Sequence, residues 1–363
     1  MRIIHFCDTM AVGGGIASFI QNLASEQSKF NEISLGVIGR DPNANTINLP
    51  DNIKIVEFNK SKPGFSVVYP FKIFLHLLLN DYEVVHIHSS FLYYFLSILL
   101  LHKRCRFVYT VHSDAVKENS SKWDKKFWKI KKLSFKRRWI LPVTISPASK
   151  ISFDNLYGMS SPMVVNGIKK ERIFGDFIEL NKYRITNQTK LFIHVGRITE
   201  AKNQIMLCQA VSELIAEGYD ISLVIVGVKQ DTNIFSDLQS FLSRRIVYIG
   251  ERTNIKELLC EADAMCLSSI WEGMPIILLE SLSVGCIPIC TPVGGVIDVV
   301  RDGYNGVLST STSLTDYKLA LIKFLKMDMS DLNEMQKRVL ESFVPYDIRL
   351  TSEKYMNLYT LER

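Results

Sequence analysis

Apolar residues along this chain follow two rhythms that take turns. Short, nearly unbroken apolar runs are separated by longer stretches in which apolar positions recur every three or four residues. A run of four to eight residues rich in Ile, Val and Phe reads as a strand, and the longer spacing reads as an amphipathic helix. In the first half the runs predict strands at 2–7, 33–39, 53–58, 83–88, 106–112, 140–146 and 163–167, with helices filling most of the gaps. In the second half they predict strands at 190–196, 221–227, 245–250, 263–268 and 286–291, with helices at about 201–217, 232–243, 253–261 and 275–284. A last helix over about 349–361 carries Tyr355, Leu358 and Tyr359 at helical spacing.

Strands that alternate with helices in this way argue for α/β layers built on parallel sheets. The alternation breaks in the polar, irregular stretch IKKERIFGDFIELNKYRITNQTK (168–190) and then restarts. Two Rossmann-like domains are therefore expected, over about 1–170 and 171–345, with ligands outside the carboxyl ends of the strands. The 363 residues suffice for two cores of that size.

Composition adds little: 47% hydrophobic and 22% charged residues describe an ordinary globular chain. The seven cysteines are Cys7, Cys105, Cys208, Cys260, Cys266, Cys286 and Cys290. No histidine or second cysteine pair completes a zinc site, so all are expected as small core residues in a reducing compartment. MRIIHFC (1–7) reads as a strand and not as a signal peptide. The run FLYYFLSILLL (91–101) falls well short of the roughly 20 residues a bilayer span needs. A cytoplasmic protein is expected.

Charge changes the picture more. The net +6 divides into +11 over residues 1–170 and −5 over 171–363. The segment 117–138 alone holds ten Lys/Arg against two acids. Within it Trp123, Phe127, Ile130 and Ser134 follow helical spacing, with Trp128 and Trp139 nearby. A basic helix with aromatic anchors suits an anionic membrane surface, here the inner face of the plasma membrane. A solvated helix face is the ordinary alternative, and nothing else in the chain supports nucleic acid as a partner.

The candidate chemistry centres on WEGMPIILLESLSVGCIPI (271–289), where seven residues separate Glu272 from Glu280. Pro275 suits the first turn of a helix. Glu280 then interrupts the apolar stretch Ile276–Leu279, and a carboxylate among apolar neighbours is costly unless hydrogen-bonded. A ribose diol offers two donors for it. Glu272, on the loop ahead, can face another polyol while the helix N-terminus faces a phosphate. In GRITEAKNQ (196–204), Arg197 and Lys202 bracket a strand-to-helix turn, a pairing that suits a diphosphate. Asn203 is a weaker candidate for capping or phosphate contact. GGG (13–15) follows the first strand and permits close backbone approach. His112 and His88 sit at strand ends, where a neutral imidazole can accept from a sugar hydroxyl and donate to a backbone carbonyl. Ser146 and Asn166, also at strand ends, read equally as cleft or capping residues.

These segments together resemble the retaining glycosyltransferases of family 4. The match includes the E-x7-E run with EGMP, PVGGVIDVVRDGYNG (292–306), G-R-x4-K and YTVHSD (109–114). It covers nearly the whole chain, is sharper in the second half, and offers nothing over about 40–80. The resemblance implies a GT-B fold, two Rossmann-like domains facing across a deep cleft, with 346–363 returning to the first domain. It implies that Glu272 lies beside the donor sugar and that Glu280 holds the ribose. It places Arg197 and Lys202 on the diphosphate, His112 on the sugar, and Gly14 and Gly15 beside the diphosphate and acceptor. Gly273, Met274, Pro275 and Ile276 would complete the donor site. The expected enzyme is a metal-independent, retaining hexosyltransferase without cofactor. Its substrates would be a nucleotide sugar, UDP favoured, and a lipid-linked saccharide of capsule or lipopolysaccharide assembly. A sugar-nucleotide epimerase of the same fold is the rival; a non-catalytic membrane adaptor fits the motif residues less well.

Overall fold

The computed structural model describes residues 1–10, 14–39, 49–60, 65–119, 122–171, 173, 175 and 177–361. It divides into two compact units, Met1–Lys169 with Tyr346–Arg363, and Lys170–Pro345. In chain order the first unit carries β1 (Arg2–Cys7), α1 (Gly15–Gln27), β2 (Glu32–Gly39), β3 (Lys54–Lys60), α2 (Val68–Leu79), β4 (Val84–Ile87), α3 (Phe95–Leu101), β5 (Arg106–Val111), α4 (Ala115–Glu118), α5 (Lys122–Lys136), β6 (Ile140–Thr144) and α6 (Pro147–Tyr157). The second carries β7 (Lys190–Val195), α7 (Gln204–Ala216), β8 (Ile221–Val226), α8 (Thr232–Gln239), β9 (Ile246–Tyr248), α9 (Ile255–Glu261), β10 (Ala264–Leu267), α10 (Ile276–Val284), β11 (Ile287–Cys290), α11 (Val296–Val299), β12 (Val307–Leu308), α12 (Leu314–Leu325) and α13 (Met329–Ser342). Helix α14 (Ile348–Thr360) closes the chain in the first unit.

Each unit is a six-stranded parallel sheet, ordered β3-β2-β1-β4-β5-β6 and β12-β11-β10-β7-β8-β9. Strand order reverses between β1 and β4 in one sheet and between β7 and β10 in the other. Parallel strands covered by helices are apolar on both faces, which is why the apolar runs predicted them. His5 and His86 are exceptions inside such runs, both fully buried.

The run 163–167 is not a strand. Met163 makes an isolated bridge to Thr144 beside the edge strand β6, and Ile168 then pairs with Asp347. The segment receives the returning chain: a Cβ on Gly167 would lie 2.4 Å from Thr351 Oγ1. Helix α14 is held over the sheet by its tyrosines. The Tyr359 hydroxyl lies 2.6 Å from His86 Nδ1, and the Tyr355 hydroxyl 2.9 Å from Thr110 Oγ1. Strand β12 is two residues long, too short for a periodicity to show, and the stretch beyond it forms α12 and α13.

Two expectations need correction. Cys260 is exposed, on the outer side of α9, while the other six cysteines are buried. In α5 the aromatic stripe faces the protein. Phe127 meets the rings of Phe65 and Phe95, Trp128 stacks on Tyr157 at 4.6 Å, and Ser134 is fully buried. Lys131 is buried too, with Nζ 3.3 Å from the Tyr109 hydroxyl and 3.2 Å from Asn119 Oδ1. These rings therefore build the core and are not lipid anchors; the side chain of Trp123 lies outside the described residues. Lys125, Lys129, Lys136, Arg137 and Arg138 remain on the solvent side.

Candidate active site

In the second unit the chain leaves β7 at the point where strand order reverses, and this is where an open α/β sheet binds ligands. Gly196 and Arg197 follow directly. A short 3-10 turn, Glu200–Lys202, then leads into α7 through Asn203, which adopts a left-handed backbone (φ 52°). Asn tolerates that region better than most residues. The Asn203 side chain caps nothing; its amide lies 3.5 Å from Met206 Sδ.

The neighbouring strand β10 delivers the partner loop. Lys202 Nζ and Glu272 Oε1 form an ion pair at 2.6 Å, with the two side chains 19% and 10% exposed. The Ser269 hydroxyl donates to the same Glu272 oxygen at 2.6 Å. Oε2 has no hydrogen-bond partner among the described residues. Ser268 Oγ donates to Lys202 O at 2.9 Å, and Ile270 N to Ala201 O at 2.8 Å, which tie the two loops together. Arg197 is exposed and forms no ion pair among the described residues. Beneath the loops, buried Gln204 donates to Arg197 O at 2.8 Å and lies 3.2 Å from His194 Nε2. Burial pushes His194 down to about 4, so it stays neutral at physiological pH.

The glycines of PVGG explain the shape of the Glu272 loop. Gly294 has φ +49°, and a Cβ there would fall 1.8 Å from Glu272 O; one on Gly295 would fall 2.0 Å from Gly273 O. Gly294→Ala should therefore cost roughly 2–4 kcal/mol, strained backbone and clash together. Gly303→Ala, also at positive φ but with only Lys323 Nζ near at 3.9 Å, should cost less. Thermal unfolding of both variants checks this; equal losses would mean that the contact with Glu272 is unimportant.

Helix α10 begins at Ile276, with Pro275 at the cap position just before the first turn and no side-chain cap. Met274, Pro275 and Ile276 are buried, and Gly273 is partly accessible. Glu280 also stays partly accessible, but protein crowds its carboxyl, which makes no hydrogen bond among the described residues. Burial pushes it up to about 7, opposed by Lys256 and reinforced by Glu171. Lys256 is itself paired with Glu171 at 2.8 Å.

The first unit holds the remaining candidates. Gly14 caps α1 with φ −88°, and Gly15 opens the helix; Gly13 lies outside the described residues. His112 follows β5, and its Nε2 lies 3.0 Å from His88 Nδ1. Its partner is thus a second imidazole and not the backbone carbonyl expected. His88 is buried, not open to solvent, and reaches on to His5. Ring nitrogens of His5, His86 and His88 come within 4.8 Å of one another, a spacing a metal could bridge. Both nitrogens of all three rings are already hydrogen-bonded to protein, so the cluster needs no ion to be satisfied. Ser146 is a helix cap, forming a capping box with Ser149 ahead of α6, and Asn166 is buried.

Comparison with known proteins places both units. The family model described as Glycosyltransferase Family 4 matches residues 13–172, and that described as Glycosyl transferases group 1 matches 177–341. N-acetyl-alpha-D-glucosaminyl L-malate synthase of Bacillus anthracis is 28% identical over 197 residues, 52% of this chain and 50% of that one. UDP-Gal:alpha-D-GlcNAc-diphosphoundecaprenol alpha-1,3-galactosyltransferase of Escherichia coli is 28% identical over 208 residues, 55% of this chain and 50% of that one. The chain thus spans about half the length of these curated relatives. The crystal structure of Anabaena HepE with UDP and glucose superposes with a TM-score of 0.82 at 16% identity, covering 99% of this chain and 100% of that one. The fold is GT-B.

Proposed function

Since the chain belongs to the family 4 glycosyltransferases, we propose that it is a retaining, metal-independent hexosyltransferase that uses a UDP-sugar and a lipid-linked saccharide acceptor. The observation that carries this reading is the second unit's switch-point site. There a half-buried Lys202–Glu272 pair, an open Arg197 and a Glu280 carboxyl without a hydrogen bond among the described residues offer partners for a diphosphate, a sugar and a ribose. In the reaction the bond from the sugar C1 to the diphosphate oxygen breaks and a bond from C1 to the acceptor oxygen forms on the same face. The acceptor's proton passes to the leaving phosphate. Charge grows on the diphosphate, where Lys202, Arg197 and the uncapped start of α10 would meet it; such preorganised stabilisation is commonly the largest catalytic term. The family resemblance would put His112 on the donor sugar and Gly14 and Gly15 beside the diphosphate and acceptor.

Binding across UDP- and GDP-sugars, followed by NMR of the product anomer, tests the reading. A UDP-sugar should bind, hydrolyse slowly and give an α-linked product from an α-linked donor. An epimerised nucleotide sugar without acceptor would point to the rival enzyme. Activity that vanishes with EDTA and returns with Mg2+ or Mn2+ would overturn metal independence.

The lipid-linked acceptor draws support from the outside of the first unit. Among the described residues no helix is long and apolar enough to cross a membrane. Helix α2 nevertheless exposes Val68, Phe71, Leu75, Leu78 and Leu79, and the adjacent α3 exposes Leu100. Helix α5, which carries the exposed lysines, packs beside the same short turn, Phe91–Tyr93, as α2 and α3 do. An apolar strip bordered by lysines suits an anionic bilayer better than water. Each cation near such a surface contributes about 1 kcal/mol and is screened by salt. Replacing Lys125, Lys126, Lys129 and Lys132 by Ser should weaken co-sedimentation with anionic vesicles at low salt. Phe71→Ser with Leu75→Ser should remove the part that survives high salt. Donor hydrolysis should stay near the parent rate in both. Negligible binding by the parent itself would remove this support for a lipid-linked acceptor.

A further inference from the structure

Three histidines and one glutamine stand in single file. His5 Nε2 lies 2.8 Å from Gln27 Oε1, His5 Nδ1 lies 3.2 Å from His88 Nε2, and His88 Nδ1 lies 3.0 Å from His112 Nε2. Burial lowers His5 to about 4 and His112 to about 3, and holds His88 well below its ordinary value. At neutral pH each ring therefore carries one N–H. A neutral imidazole that donates through one nitrogen must accept through the other. The file can run in two directions: in one the three N–H groups fill all three bonds, and in the other they fill the two bonds between rings while the third, on His112 Nδ1, points out of the file. Either every N–H points towards Gln27, or every N–H points towards His112.

Gln27 breaks the tie. It is buried at the end of α1 with Oε1 turned to His5 and its amide nitrogen without a hydrogen bond among the described residues; in this orientation Oε1 can only accept, so His5 donates through Nε2. His86, whose ring centroid lies 3.9 Å from that of His88 at a tilt of 39°, does not compete, because its own nitrogens meet the hydroxyls of Tyr359 and Thr110. We infer that Gln27 is a positioning residue that sets the tautomer of His112 through His5 and His88, so that His112 presents a bare Nδ1 as a hydrogen-bond acceptor. His112 is partly accessible, and its Nδ1 has no partner among the described residues. On the proposed transferase reading, on which this role rests, Nδ1 accepts from a sugar hydroxyl. With the file reversed, the same atom would carry a proton and repel that hydroxyl's hydrogen. None of the four residues is adjacent in sequence, and Gln27 itself touches no substrate.

The test is the tautomer, read from ring-15N-histidine-labelled full-length protein at neutral pH, with the His112 signals identified by their loss in His112→Asn. In the parent, Nε2 should be protonated and Nδ1 not. In Gln27→Leu the file loses its terminal acceptor, and reversal moves the N–H without a protein partner from buried His5 to partly accessible His112; His112 should shift towards the Nδ1–H form. kcat/KM for sugar transfer should fall roughly tenfold, the scale of one hydrogen bond, with UDP affinity unchanged. A parent His112 protonated on Nδ1, or a tautomer indifferent to Gln27→Leu, overturns the inference. Should Gln27→Leu not fold, the parent spectrum and His5→Phe, which cuts the same file, decide. The spectrum needs no substrate. A parent that transfers no sugar would therefore sink the transferase reading while leaving the tautomer result to stand or fall by itself.

Discussion

Lys202→Ala should lower kcat for sugar transfer by about 10²–10³-fold, the scale for removing one preorganised group from a developing oxyanion. The geometry says why this cation should matter more than its neighbour. Lys202 is held before any ligand arrives by the ion pair to Glu272 at 2.6 Å, with its side chain only 19% exposed. A charge already in place costs no reorganisation when the leaving group gains its own. Arg197 is exposed and unheld, so Arg197→Ala should cost less in kcat and more in donor affinity. Glu272→Gln keeps the size of the side chain and the serine contact but releases the lysine, and should fall between the two. Steady-state kinetics with a saturating UDP-sugar, parent beside variants, is the measurement. Parent-like turnover by Lys202→Ala would remove the leaving-group site from the second unit.

Glu280→Gln should weaken sugar-nucleotide binding by roughly 10–100-fold, since a hydrogen bond to a charged group is worth about 1.5–3 kcal/mol. It should also remove a pH dependence. In the free protein the Glu280 carboxyl is pushed up to about 7 by burial, whereas only the ionised form can accept from both ribose hydroxyls with its two oxygens. Donor affinity should therefore fall as pH drops below about 7, approaching tenfold per unit, and the glutamine variant should show no such slope. The sign for stability is opposite. An acid whose folded pKa lies above its unfolded value of about 4.3 destabilises the fold as pH rises from about 4 to 7. The ligand-free Glu280→Gln protein should thus unfold later than the parent at pH 8, by roughly 2 kcal/mol, while binding less donor. Titrations of a UDP-sugar between pH 5.5 and 8, with thermal melts at both ends, would check this. Matching slopes in parent and variant would assign the ribose to another group.

Much of this was readable in the order of residues. Strand β1 matches its predicted span, and most other predicted strands lie within a residue or two of theirs, because a parallel strand buried on both faces must be apolar at nearly every position. The segment 163–167 looked the same and failed, since an apolar run records burial and not pairing. Motif spacing within one loop was legible as well: Arg197 and Lys202 share a single strand-to-helix turn, and Glu272 and Glu280 a single loop and helix. The face of α5 was not. Its aromatic stripe was visible, but a stripe at helical spacing is the same whether it meets lipid or core, and the rings of Phe65, Phe95 and Tyr157 that settle it come from distant segments.

What needed the tertiary structure was every relation between charges or polar groups far apart in the chain. Lys202 and Glu272 are 70 residues apart and become an ion pair only because β10 lies beside β7. Gln27, His5, His88 and His112 come from a helix and three strand segments, and their order in the file follows from strand order β1-β4-β5. Local sequence carries local periodicity, which backbone geometry converts directly into helix or strand. Hydrogen bonds and ion pairs depend on a few ångströms between side chains, and only the packing of distant elements brings those distances about.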